Sequence, residues 1–139
     1  MSRYVLDASA VLRYLENGPG AITVEQLIHD ANNSACEIAI SAVNWGEVLY
    51  VLRRKLGLPH AMSVAKSLRS LPVSITQAGE AEAESAADFK DRYSIAYADC
   101  FAAALADATA ATLVTADFDF KRCESALEIE FLPRATAAN

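Results

Sequence analysis

Four carboxylates stand out by the company they keep: Asp7, Glu47, Asp99 and Asp117. Asp7 ends the apolar run Tyr4-Val5-Leu6 and is followed at once by the helical pattern Ala8 to Leu15. Asp117 comes just after the β-branched run Thr112 to Thr115. Asp99 is the only charge between Ile95 and Ala106, within the most apolar helical stretch of the chain. Glu47 has Val43 and Val51 one helical turn to either side, on or beside the buried stripe of its helix. Two acids that end strands and two on inner helix faces can meet if the strands are parallel, because ligands of open parallel sheets sit at the strands' carboxyl ends.

Such a gathering needs compensation. Two carboxylates about 4 Å apart repel by about 4 kcal/mol at an effective dielectric near 20, and without relief some stay protonated at neutral pH. A divalent cation supplies the relief, and all-oxygen ligands favour Mg²⁺ or Mn²⁺ over zinc. A cation held this way suits phosphodiester hydrolysis, since it orients a water, lowers its pKa and screens the phosphate. Taken singly, each acid also has an ordinary explanation. Asp99 could pair with an arginine such as Arg92 or face water; Glu47 could mark the edge of an apolar stripe; Asp117 could cap the turn through Phe120. The combination is what points to a site.

Other chemistries are poorly served. The two histidines, His29 and His60, lie in helical stretches far along the chain from these acids and read as surface or packing residues. No GxxxxGK[ST], HExxH or GxSxG pattern occurs. The cysteines, Cys36, Cys100 and Cys123, are odd in number and lack CxxC spacing, which argues against a disulfide framework or zinc cluster. Reduced thiols fit a cytoplasmic protein. No signal peptide is visible, because Asp7 interrupts the first apolar run. The nearly uncharged run Ile95 to Ala106 is too short to span a membrane, so none is expected as a partner. A net charge of -6 is the wrong sign for a general nucleic-acid coat protein, though it leaves room for a nuclease with an acidic metal site.

The elements that must position the acids follow from length and pattern. A chain of 139 residues, 53% hydrophobic, suits one domain with one core. Strands are expected at Tyr4 to Leu6, Cys36 to Ile40, Val73 to Ile75, Thr112 to Thr115 and Glu128 to Leu132. Helices are expected at Ala8 to Leu15, Ala21 to Ala31 (core contacts Ile22, Leu27, Ile28), Ala42 to Leu56 after a Ser41 N-cap, His60 to Ser70, Ala78 to Arg92 as a mostly polar, exposed helix, and Ile95 to Ala110. The alternation of strands and helices gives an α/β domain over residues 1–134, a parallel sheet of about four to five strands flanked by helices. Residues 135–139 read as a frayed tail. Arg53-Arg54-Lys55 close a helix, where helix-dipole stabilisation accounts for them without an RNA contact.

With these residues assembled, the sequence resembles a known family. Val5-Leu6-Asp7-Ala8-Ser9-Ala10-Val11-Leu12, Glu47, the run Tyr97 to Ala106 around Asp99, and Leu113 to Phe120 around Asp117 look like PIN-domain nucleases, above all the VapC toxins of toxin–antitoxin pairs. The likeness runs in order over nearly the whole chain. It implies a PIN-like fold, a metal-dependent endoribonuclease acting on structured RNA such as tRNA or rRNA, a small VapB-like antitoxin that inserts near the site, and a homodimer. It makes Asp7, Glu47, Asp99 and Asp117 the acidic cluster, with Asp7 and Asp99 as direct metal ligands and Glu47 and Asp117 acting through water, on a second ion or by holding the attacking water. Ser9 and Thr115 match hydroxyl positions near the cluster; Ser9 either orients Asp7 or caps the first helix. Asp119 is an optional fifth acid, better explained by a turn. Few cations stand near these elements in sequence: Arg13, Lys90, Arg92 and Lys121.

Three other readings remain. A haloacid-dehalogenase-type phosphatase also begins with an aspartate after a strand, but needs a second aspartate where this chain has Ser9. A non-enzymatic binding module would use the acids only as caps. A housekeeping RNA-processing PIN nuclease would share the site and lack the antitoxin.

Overall fold

The computed structural model describes residues 1–134, so the expected tail at 135–139 lies outside the described residues. Five strands, β1 (Ser2–Leu6), β2 (Cys36–Ser41), β3 (Val73–Thr76), β4 (Thr112–Thr115) and β5 (Ile129–Phe131), pair in the order β3-β2-β1-β4-β5, every pair parallel. Parallel neighbours need crossovers, and six helices supply most of them: α1 (Ala8–Leu15) and α2 (Ala21–Asn32) lead to β2, α3 (Ala42–Leu56) and α4 (Leu58–Arg69) to β3, and α5 (Glu80–Tyr93) and α6 (Tyr97–Thr109) to β4. A short 3₁₀ turn, Phe118–Cys123, leads on to β5. The chain winds one way from β1 to β3, then crosses back to β4 on the other side of β1. Strand order therefore reverses between β1 and β4, the place where an open α/β sheet leaves a crevice for a ligand.

Period-two alternation assigns the strand residues to two cores. Leu6 and Val114 face a cluster with Val11, Val24, Ile28, Ile40, Val48 and Leu68 from α1 to α4 and β2. Val5 and Leu113 face the other, with Phe89, Ile95, Phe101 and Phe120. Both faces of the central strands are thus covered, as their unbroken apolar character requires.

The helix α1 begins and ends where its pattern says, as do α3 and the strand β4. Elsewhere the structure corrects the sequence. Ile22 is 78% exposed; the buried stripe of α2 is Ala21, Val24, Leu27 and Ile28. Helix α4 starts at Leu58 rather than His60: Pro59 sits at its first turn, where its missing N–H costs nothing, and Gly57 at φ 78° separates α3 from α4. Helix α6 starts at Tyr97, because Ser94 adopts φ 56° and breaks the path ahead of Ile95 and Ala96. Helix α5 is polar on its outer side, yet it buries Ala86 and Phe89, three residues apart.

Gly20 is the one glycine on which the domain's closure depends. It holds φ +88°, and a Cβ there would stand 2.7 Å from Leu132 Cβ and 2.9 Å from Pro133 Cδ. The α1–α2 loop can lie against the chain leaving β5 only because that side chain is absent. Arg13 bolts the same contact, donating to the carbonyls of Pro19 and Pro133 at 2.7 Å each.

Candidate functional site

Asp7 ends β1 and caps α1. It is 2% exposed, and its carboxylate accepts from the Ala10 amide at 2.9 Å, Ser9 Oγ at 2.7 Å and Thr115 Oγ1 at 2.5 Å. The first of these satisfies one of the amides that a helix start leaves without an internal partner. Ser9 thus orients Asp7, while the cap of the first helix is Asp7 itself. The two hydroxyls lie 3.2 Å apart and also receive the chain that follows β4: Ala116 N–H donates to Ser9 Oγ and Asp117 N–H to Thr115 Oγ1, both at 2.9 Å. This network welds the carboxyl ends of β1 and β4 together at the switch point.

Asp117 leaves that junction and caps the 3₁₀ turn, accepting from the Asp119 amide at 2.9 Å. Asp119 itself is exposed, and its amide rather than its carboxylate serves the site. Asp99 lies in the first turn of α6, half-buried. Glu47 comes from α3 and accepts from Asn44 Nδ2 at 3.1 Å, while the same Nδ2 donates to the Ala98 carbonyl at 3.1 Å. Asn44 is fully buried, ties α3 to α6 beside Asp99, and leaves its own Oδ1 without a protein partner. The sequence reading missed Asn44. Its signal was a polar residue one helical turn before Glu47 on a face otherwise read as apolar.

The acids perturb one another. Burial lifts the Asp7 carboxyl to about 6, against the pull of its three hydrogen bonds and with a further push from Asp117. Burial also lifts Asp99 to about 7, helped by the charges of Asp117, Asp7 and Glu47 and by a hydrogen bond with Asp117. Asp99 therefore feels all three of the other predicted acids. Arg92 pairs with Asp88, which disposes of an Arg92–Asp99 bridge. None of the ion pairs among the described residues involves the four acids.

The arrangement is an uncompensated acidic cluster rather than a closed coordination shell. Among the described residues no three His, Cys, Asp or Glu side chains stand together in metal-holding geometry. Asp7 has three of its roughly four lone-pair sites taken, leaving one for a cation. The donor set is all oxygen, its charge is unrelieved and two of its carboxyls are raised, which fits a hard divalent ion. The apolar cavity of about 250 Å³ walled by Val11, Val24, Trp45 and Leu71 contains none of these acids.

A parallel α/β domain with clustered acids at its switch point defines the class, and comparison places the chain within it. The family model described as PIN domain matches residues 4–125. The chain belongs to the PIN domain family. Among solved structures, VapBC2 from Rickettsia felis bound to a DNA fragment from its promoter is similar with a TM-score of 0.74 at 22% identity, covering 94% of this chain and 99% of that one. DNA-bound VapBC from Salmonella typhimurium gives 0.74 at 17%, covering 94% and 98%. Mycobacterium tuberculosis VapC20, described as a sarcin–ricin loop cleaving toxin, gives 0.67 at 17%, covering 94% and 99%. At these identities the likeness is one of fold. Among curated proteins none matches the sequence significantly. No helix among the described residues is long and apolar enough to cross a membrane.

Proposed function

We propose that this protein is a metal-dependent endoribonuclease, the toxin of a toxin–antitoxin pair, acting on structured RNA such as tRNA or rRNA. The observation that carries the reading is the electrostatic coupling of Asp99 to Asp117, Asp7 and Glu47 near the switch point, with none of the four in an ion pair among the described residues. Family membership and the fold shared with VapBC toxins support it.

Asp7 and Asp99 would hold Mg²⁺ or Mn²⁺ directly, with Glu47 and Asp117 acting through water or on a second ion. The cation, when bound, supplies a water of lowered pKa and a counter-charge for the phosphate. The protein's own residues do the rest. Ser9 and Thr115 keep Asp7 in one rotamer with its remaining lone pair free. Asn44 holds Glu47 against the start of α6. Asp99, raised to about 7 by burial and then by its like-charged neighbours, is the carboxyl whose ionisation a bound cation would favour most. A VapB-like antitoxin and a second copy of the chain are the expected partners. The exposed Tyr50, Leu56, Leu58 and Met62 of α3 and α4 support a protein partner on that side. An enzyme with this substrate works in the cytoplasm.

The test is cleavage of total cellular RNA by antitoxin-free protein with Mg²⁺, Mn²⁺ or EDTA, beside Asp99→Asn. A discrete fragment that requires both metal and Asp99 is expected. Equal cleavage by Asp99→Asn would remove the acid site from the reaction, and folded protein that neither cuts RNA nor binds Mn²⁺ would leave a binding module.

A further inference from the structure

Beside the acids a cleft of about 610 Å³ opens between α1 and the turn after β4. Ser9 and Asp117 line it, so it is continuous with the cluster; Arg13, Lys55 and Arg134 line it as well. Lys55 is matched by Glu16, the two 2.5 Å apart. Arg13 and Arg134 join no ion pair among the described residues. Two guanidinium charges therefore stand over the cleft against the carboxylates of Asp117 and Asp119.

Their placement is specific. The Arg134 guanidinium lies 3.8 Å from the centroid of the Phe118 ring, and Phe118 is itself stacked on Phe131 at 5.0 Å and 15°. A guanidinium laid on an aromatic face keeps its plane and its N–H edge, the part that grips a phosphate in two-pronged fashion. Lys121 brings a further cation within 5.7 Å of the same ring. Arg13 donates to the carbonyl of Pro133, the residue just before Arg134, so one arginine fixes the backbone from which the other projects.

We infer that Arg134, laid on Phe118, together with Arg13 takes a phosphate of the RNA strand next to the one being cut, and so positions the strand across the acids. The inference rests on the ribonuclease reading above. A polyanion approaching an acidic protein needs a local cationic landing point, and this cleft supplies one that runs directly into the cluster. An acidic peptide would meet the same carboxylates of Asp117 and Asp119 and is an outcome of the test.

The test measures binding separately from cutting. Anisotropy of a labelled random-sequence single-stranded RNA is followed over a salt series with Ca²⁺ in place of Mg²⁺, and the RNA is then run on a gel to check that it is whole. Arg134→Ala should weaken binding about fivefold and lower the slope of log affinity against log salt by about 0.7. Arg134→Lys should recover the slope but not the full affinity. Arg3→Ala, at the opposite end of β1, is the control and should match wild type. Arg134 is exposed, so its variants keep the fold. Wild-type affinity and slope in Arg134→Ala, or no RNA binding by wild type, would overturn the inference even if the protein cuts RNA. Displacement of the RNA by polyglutamate that depends on Arg134 would assign the cleft to an acidic peptide and overturn it too. Arg134-dependent binding, with no cleavage of total cellular RNA in Mg²⁺ or Mn²⁺, would leave the cleft standing and count against the nuclease.

Discussion

The buried Asp7 makes the metal-free protein pay for its own site, and the cost has a pH signature. Its carboxyl is lifted from 3.8 to about 6, first by burial. Between those values the native state holds a proton that the unfolded chain has released, so stability falls as pH rises. The sign follows from that: the contribution is intact below about pH 4 and is lost as pH climbs through about 6. A lift of this size at 1.36 kcal/mol per pH unit is worth about 3 kcal/mol, or about 10 °C in melting temperature for a domain of this length. Asp99, lifted to about 7, acts in the same direction and extends the fall toward neutrality. The assay is thermal unfolding in EDTA from pH 4 to 7.5, wild type beside Asp7→Asn. The amide is neutral throughout and can still be served by the network, since its oxygen accepts from Ser9 and Ala10 while Thr115 Oγ1 has lone-pair capacity for its NH₂. Wild type should lose stability relative to the variant across this range and be the less stable at pH 7.5. If the ionised acids hold a cation as proposed, Mn²⁺ should raise the wild-type midpoint at pH 7.5, do so far less at pH 5, and leave Asp7→Asn nearly unmoved. Parallel wild-type and Asp7→Asn curves from pH 4 to 7.5 would refute the reasoning.

Three further substitutions probe the frame around the site. Gly20→Ala should cost about 2 kcal/mol or more in denaturant unfolding, because the backbone is left-handed and the new methyl meets Leu132 and Pro133. Asn44→Ala should cost about 2 kcal/mol, since it removes a fully buried side chain and both bonds by which that side chain ties Glu47 and α3 to the start of α6; any cleavage should fall with it, and an unchanged denaturation midpoint would deny the tie between α3 and α6. Ala110→Gly should stabilise by about 0.5–1 kcal/mol, because Ala110 ends α6 at φ 53°, where a side chain is strained; a lowered midpoint would contradict that.

What was legible in the sequence were contrasts between neighbours. Asp99 was conspicuous because it interrupts an apolar helix, and the helix α3 could be bounded because its N-cap, Ser41, stands at its start. The errors arose where hydrophobicity was weighed without phase. Ile22 is more apolar than Ala21, but Ala21 shares the face of Val24 and Ile28, and phase decides burial. The expected start at His60 passes over Pro59, although at a first turn proline is compatible with a helix. The roles of Asn44 and Arg134 were hidden for a different reason, although Asn44 did stand out as a polar residue on an apolar helix face. Each owes its place to partners far along the chain, Asn44 to Ala98 and Arg134 to the Phe118–Phe131 stack, and no local pattern encodes a tertiary contact.

Asp7 shows why the first strand carried so much of the reading. A strand that turns straight into a helix leaves amides at the helix start in need of an acceptor, and Asp7 supplies one by accepting from Ala10. An asparagine or serine would cap as well, so capping alone does not call for a charge buried to 2% exposure. The charge is also poorly served by the fold: two hydroxyls and an amide are spent on it, and its carboxyl is still lifted to about 6. A group that costs stability where a neutral residue would suffice is explained by something that binds it. The same holds for Asp99, pushed up by burial and then by three like charges in the first turn of a helix that is otherwise apolar through Ala106. Both costs vanish if a cation arrives, and neither does if the acids are only caps. The metal titration at pH 7.5 therefore separates an enzyme from a binding module before any RNA is known.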